Sequence, residues 1–199
     1  MSARLFEDDV LFLQRFLKSS GFDPGPLDGQ WGRKTEAATQ AFEARTTQIA
    51  KQFGTFDMRT EMNLMTLHPK AQEAARKFMK QVLAAGITVR IISGTRTYAE
   101  QNALYRRGRY GNPGPRVTNA RGGQSNHNFG IAWDIGIFRN GIYLGESPLY
   151  KKAAEIGIVA GVEWGGNWVS FPDQPHYQMI TGLPISVVRE RFENGQSVT

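Results

Sequence analysis

Gly21, Gly54, Gly86, Gly108 and Gly161 each stand just past a run of periodically spaced apolar residues, where a glycine readily ends a helix. The chain is thereby cut into short pieces, so only folds assembled from short helices and strands are open to it. The first piece carries Val10, Leu11, Leu13, Phe16 and Leu17 on one face of a helix starting near Asp8 or Asp9. Residues 21–32, dense in Gly and Pro, read as a compact turn-rich loop. A second helix is expected from Arg33 to about Gln52, with Ala37, Ala38, Ala41, Phe42 and Ile49 inward, and a short third from Phe56 with Asp57 as N-cap. These make a small all-α three-helix bundle over residues 1–66, joined through Thr66-Leu67-His68 to a second domain at 67–199.

In that second part a helix is predicted from Pro69 to Ala85, with Ala75, Phe78, Met79, Val82 and Leu83 inward, followed by an alternating strand from Ile87 to Ile92. Thr97 and Glu100 form a capping box for the next helix. A strand from Phe129 to Phe138 places Ala132 and Asp134 on one face and Trp133 and Ile135 on the other, and Arg139-Asn140-Gly141 turns it into a hairpin. Ser147 and Pro148 start a helix running to about Ala160. Strands at Val162–Trp164 and His176–Ile180, then a helix from Pro184 packing Val187, Val188 and Phe192, complete an α+β domain with a mainly antiparallel sheet.

Composition narrows the classes. A hydrophobic share of 40%, with 12 Phe and 4 Trp in 199 residues, supplies a core and excludes a disordered chain. No apolar run is long enough to span a bilayer, and the opening residues lack the apolar core of a secretory signal, so the expectation is a soluble chain made in the cytoplasm. The absence of cysteine excludes disulfides and thiolate ligands, so a metal site must use His and carboxylates. Residues 1–66 hold 8 Lys and Arg against 9 Asp and Glu, while 67–199 hold 16 against 9. Much of that excess sits in Arg106, Arg107, Arg109, Arg116 and Arg121, read as either a solvated loop or a patch drawn to an anionic surface. No nucleic-acid-binding motif accompanies it, so nucleic acid is not an expected partner.

Two segments hold the chemistry: Ser125-Asn-His127-Asn-Phe-Gly-Ile-Ala-Trp-Asp134 and Asp173-Gln-Pro-His176. Two imidazoles and one carboxylate suit a catalytic zinc, which takes three N/O ligands and keeps a fourth position for water. Asp173, three residues from a ligand and held between Pro172 and Pro175, could then serve as the base for that water. The plainer reading keeps His127 as a solvated loop residue and Asp134 as a strand terminus, and no H-E-x-x-H signature settles the matter. His68 has no neighbouring ligand type and reads as an exposed linker or helix-start residue.

The pattern Ser125-x-His127-x-x-Gly130-x-Ala132-x-Asp134, followed by Glu163-Trp164-Gly165-Gly166-x-Trp168-x-x-Phe171-x-Asp173-x-x-His176, closely resembles the L-alanyl-D-glutamate endopeptidases and D-Ala-D-Ala carboxypeptidases, zinc enzymes that cut peptidoglycan stem peptides. The resemblance implies His127, Asp134 and His176 as zinc ligands and Asp173 as catalytic base. Ser93-Gly94-x-Arg96, with Gln101, matches the same family and implies that Arg96 steadies a substrate carboxylate or the oxyanion. Ser125, Gln101, Glu163, Trp164 and Trp168 are then substrate contacts or supports of the ligands, with Glu163 the competitor of Asp173 for the base. Residues 10–38, from Val10-x-x-Leu13-Gln14 through Asp28-Gly29-x-Trp31-Gly32 to Ala38, look like the three-helix peptidoglycan-binding domain of cell-wall hydrolases. Asp28, Gly29, Trp31 and Thr35 around its turn are the candidate wall contacts, although Gly54-Thr-Phe-Asp57 departs from the repeat of that turn.

The reading is therefore a monomeric modular peptidoglycan hydrolase with Zn2+ as cofactor and bacterial peptidoglycan as partner. Anionic wall or outer-membrane polymers are a further expected partner. A wall hydrolase without a signal peptide fits a phage endolysin that reaches the wall after release. Its rivals are a D-Ala-D-Ala carboxypeptidase and a non-catalytic wall-binding protein with a structural zinc.

Overall fold

A computed structural model describes residues 2–199, with side chains from Glu7 onward. Seven α-helices and five strands follow in the order α1 (Ser2–Ser19), α2 (Arg33–Phe53), α3 (Met58–Leu64), α4 (Pro69–Ala84), β1 (Val89–Ser93), α5 (Tyr98–Arg106), β2 (Ala132–Arg139), β3 (Ile142–Leu144), α6 (Leu149–Gly157), β4 (Val162–Trp164), β5 (His176–Met179) and α7 (Ile185–Glu193). Short 3-10 turns occupy Asn126–Phe129 and Gly165–Asn167. The layout is α+β, and every strand pair is antiparallel. By packing, the chain forms two compact units, one of Met1–Phe42, Arg96–Gly130 and Thr181–Val198, the other of Glu43–Thr95 and Ile131–Ile180 with Thr199.

The first unit is joined by aromatic rings. Phe12 of α1 meets Phe192 of α7 at 5.5 Å and Tyr98 of α5 at 6.0 Å, and Phe129 lies 5.3 Å from Phe192. Phe42 takes Phe16 and Phe22 edge-on. The loop after α1 closes around buried Gln14, whose Oε1 accepts from the backbone N–H groups of Asp28 and Gly29, while its Nε2 donates to Asp28 Oδ1, Gln30 O and Thr35 Oγ1. Gly29 has φ +74°, and a Cβ there would stand 2.7 Å from the Glu7 carbonyl oxygen, so the turn admits no other residue without displacing α1.

The second unit contains the sheet, in the order β1-β2-β5-β4 with β3 also pairing β2. Trp133, Ile135 and Ile137 of β2, Tyr177 of β5 and Trp164 of β4 face a core closed by Phe78, Met79 and Val82 of α4. The opposite face of the same strands carries Asp134, His176, Gln178 and Glu163, because side chains alternate along a strand. Arg76 is fully buried in α4 and forms a two-pronged ion pair with Glu61 of α3, donating also to Gly54 O. Removing one member of such a pair strands the other charge at a cost of about 3–5 kcal/mol. A chain cut at residue 67 would lose both Glu61 and Gly54, the partners that hold the Arg76 guanidinium.

Several boundaries differ from the sequence expectation. α1 starts at Ser2, well before the Asp8-Asp9 pair. In α2 the buried positions are Thr35, Ala38, Phe42, Thr46 and Ile49, while Ala37 and Ala41 are exposed: a stripe spaced by three and four residues uses polar Thr where alanine was the apolar choice. Leu83 is exposed at the end of α4. The strand expected from Phe129 begins at Ala132, because Asn126–Phe129 closes as a 3-10 turn instead. α6 ends at Gly157 instead of near Ala160, since Ile158 is extended. His68 does begin a helix, but it is buried, and its Nδ1 caps α4 by accepting from Lys70 N at 3.2 Å. The Asp57 cap, the Thr97–Glu100 capping box and the Asn140-Gly141 hairpin turn, with both residues at positive φ, are as expected.

Candidate functional site

Two of the three candidate ligands are placed by strand register. Asp134 pairs directly with His176 across β2 and β5, which sets carboxylate and imidazole side by side on one face. Asp134 Oδ1 and His176 Nδ1 stand 3.1 Å apart. His127 arrives from the Asn126–Phe129 turn. That turn is anchored by Phe129 against Phe192 and by buried Asn128, whose Oδ1 accepts from Gly123 N and whose Nδ2 donates to Arg96 O. Among the described residues, His127, Asp134 and His176 form one group, each offering a ligand atom within 4.8 Å of the others.

These residues fit a metal ion. Donors about 2.0–2.2 Å from a tetrahedral ion stand about 3.3 Å apart, close to the Asp134–His176 separation. His127 and His176 are buried, so a cation there would be held with little competition from water. Burial pushes the His176 imidazolium down, but the hydrogen bond and charge of Asp134, with Gln178 and the charge of Asp173 added, carry it above its ordinary value. The pocket around that imidazole is thus one that favours a positive charge.

Asp173 is held by backbone. Its N–H donates to Gly165 O at 2.9 Å, its carbonyl accepts from His176 N at 3.2 Å, and Trp164 Nε1 donates to Gln174 O at 2.7 Å. A Cβ on Gly165 would lie 2.7 Å from the Asp173 carbonyl oxygen, so glycine is what lets the acid's loop close against β4. Arg96 begins from an equally fixed point: its N–H donates to His127 O at 3.0 Å. Its guanidinium reaches Gln101 Oε1 only at 3.5 Å, while buried Gln101 donates to Ala120 O at 3.0 Å and so braces the loop after α5.

The remaining candidates divide. Trp164 is a core residue, whereas Trp168 is partly exposed with its ring 5.0 Å from that of His176. Ser125 precedes the His127 turn and accepts from Asn128 N through its carbonyl. Glu163 accepts from Gln178 Nε2, and Gln178 Oε1 faces His176 Nε2 at 2.9 Å. Away from this site, Asp28, Gly29 and Thr35 are engaged in the Gln14 clasp, and Trp31 is half exposed with its indole N–H on Glu36. Arg109 is also engaged, donating to Tyr105 O, Thr118 O and Asn119 Oδ1, while Arg106, Arg107, Arg116 and Arg121 are exposed. Asn128 and Gln178 were not singled out from the sequence. The signal for Gln178 was there, since it stands two residues from His176 on a strand and must share its face.

Residues 118–179 match the family model described as D-alanyl-D-alanine carboxypeptidase, and residues 7–46 match that of a putative peptidoglycan binding domain. A relative from Bacillus subtilis, the peptidoglycan L-alanyl-D-glutamate endopeptidase CwlK, is 37% identical over 125 residues, covering 57% of this chain and 74% of its own. The crystal structure of the Serratia marcescens L-Ala D-Glu endopeptidase ChiX is 29% identical, with a TM-score of 0.47 over 62% of this chain and 88% of its own. With a ligand-type triad on the residues that the first model spans, and a relative of that identity and coverage, the chain belongs to the family of peptidoglycan L-alanyl-D-glutamate endopeptidases.

Proposed function

We propose that the protein is a zinc peptidoglycan hydrolase that cuts the L-alanyl-D-glutamate bond of the stem peptide. The observation that carries the reading is the gathering of His127, Asp134 and His176 within 4.8 Å in a chain of this family. Those three hold the metal; three donors suit a catalytic site, whereas a structural zinc takes four protein ligands. Bound zinc supplies a Lewis acid that lowers the pKa of water to roughly 7 and polarises the scissile carbonyl. Asp173 accepts the proton of the attacking water and returns it to the leaving amine. Arg96 donates to the oxyanion or to a substrate carboxylate. Trp168, beside His176, forms a wall of the cleft.

A second reading, D-Ala-D-Ala carboxypeptidase, draws support from the family model at 118–179. Mass spectrometry of fragments released from purified peptidoglycan separates the two. The endopeptidase frees fragments with a new N-terminal D-glutamate. Free D-alanine with intact L-alanyl-D-glutamate linkages would favour the carboxypeptidase.

Residues 1–66 are read as the wall-binding part, supported by the family model at 7–46, and they do no chemistry. Trp31 presents the exposed aromatic surface there, so Trp31→Ala is expected to weaken cosedimentation with purified sacculi about tenfold, the ~1.4 kcal/mol of one good aromatic contact. Cleavage of a small soluble stem peptide should be unchanged. The exposed Arg106, Arg107 and Arg116 are read as a second attachment, to anionic wall or outer-membrane polymers. Such binding should fade as salt rises and on replacement of the three by Gln, because exposed charges are screened over about 8 Å at physiological ionic strength. Salt-independent cosedimentation would remove this part of the reading. Pairing a wall-binding part with a peptidase on one chain also supports a lytic, endolysin-like role at the cell wall.

A further inference from the structure

We propose that Glu163 and Gln178 form a relay of fixed polarity that sets which nitrogen of His176 faces the metal. The inference rests on the metal reading above and goes beyond it by giving roles to two residues outside the ligand set. The three side chains lie in line on one face of the sheet, Glu163 and Gln178 being directly opposite each other across β4 and β5. An ionised carboxylate can only accept hydrogen bonds, so Glu163 requires the Gln178 amide to turn its NH2 group toward it. The amide oxygen is then turned to His176 Nε2, 2.9 Å away, and can only accept. Nε2 must therefore carry a proton, so Nδ1, on the side of Asp134 Oδ1 and 3.1 Å from it, is the nitrogen that can give up its own proton and bind a metal. That separation suits an Nδ1–H···Oδ1 hydrogen bond when no ion is bound, and two donors of one tetrahedral ion stand at a similar distance. The relay makes that side of the ring a ligand and makes the other side a held hydrogen-bond donor. Glu163 and Gln178 act through His176, so they are positioning residues, and the proton needed for cleavage is left to Asp173.

The test uses the full chain. Zinc affinity is measured by chelator competition for the wild type, Gln178→Leu and the near-isosteric Glu163→Gln, with thermal melting as a check on folding. In cobalt(II)-substituted protein, the exchangeable imidazole N–H signal of His176 reports which nitrogen keeps its proton. Gln178→Leu is expected to weaken zinc about 10- to 100-fold and to make the Nε2–H proton exchange rapidly with solvent; Glu163→Gln, which frees the amide to turn, should weaken zinc about tenfold. A merely structural role for the pair would lower the melting temperature without moving the N–H signal. Unchanged zinc affinity in both variants, or metal on Nε2 of His176 in the wild type, would overturn the relay while leaving the ligand set standing. A wild type that binds no zinc would overturn both.

Discussion

Asp173→Asn is expected to lower turnover of a soluble stem peptide by about 10²-fold or more, the usual scale for a lost general base, while zinc stays bound and the fold is unchanged. The amide is nearly isosteric with the carboxylate, and the backbone of the segment stays held through Gly165 O and His176 N. Glu163→Gln, assayed with zinc in excess so that weaker binding does not enter, should cost less than Asp173→Asn. Metal content and turnover are read on the same preparations. If Glu163→Gln were inactive with zinc in place and Asp173→Asn remained active, the roles of the two acids would be exchanged.

The second large effect is on the metal itself. His127→Ala and His176→Ala are each expected to abolish stoichiometric, tightly bound zinc and with it all cleavage, because two remaining donors cannot close a site that has three. Asp134→Asn should loosen the ion as well, a neutral amide oxygen being a weaker donor than a carboxylate. These variants should still fold, since the β2–β5 ladder and the core face of Trp133 and Tyr177 do not depend on the ligands. Elemental analysis after gel filtration decides it: one full equivalent of zinc in His127→Ala would remove His127 from the ligand set.

Much of the helical layout was legible because its signals are local. A capping box at Thr97 and Glu100, an Asn-Gly hairpin, and proline at the start of α4 each act within four residues. The candidate ligands were named by spacing and resemblance, but spacing alone could not show that Asp134 stands opposite His176, which is a fact of register between strands 42 residues apart. The phase of α2 is not legible in the sequence for a related reason. Thr35 and Thr46 are buried by tertiary partners, the Gln14 clasp and Gln72, that no helical period reveals. The Arg76–Glu61 pair was hidden in the same way, two charges that look solvated until α3 and α4 are packed.

The ring cluster of Phe12, Tyr98, Phe129 and Phe192 bears on how such enzymes are recombined. Here the helix that opens the segment matching a putative peptidoglycan binding domain lends Phe12 to the same cluster that seats the turn carrying His127. A chimera that replaces this helix inherits a less covered Phe192 and a loosened His127 turn, so grafts into this chain should keep an aromatic residue at position 12 or begin beyond it.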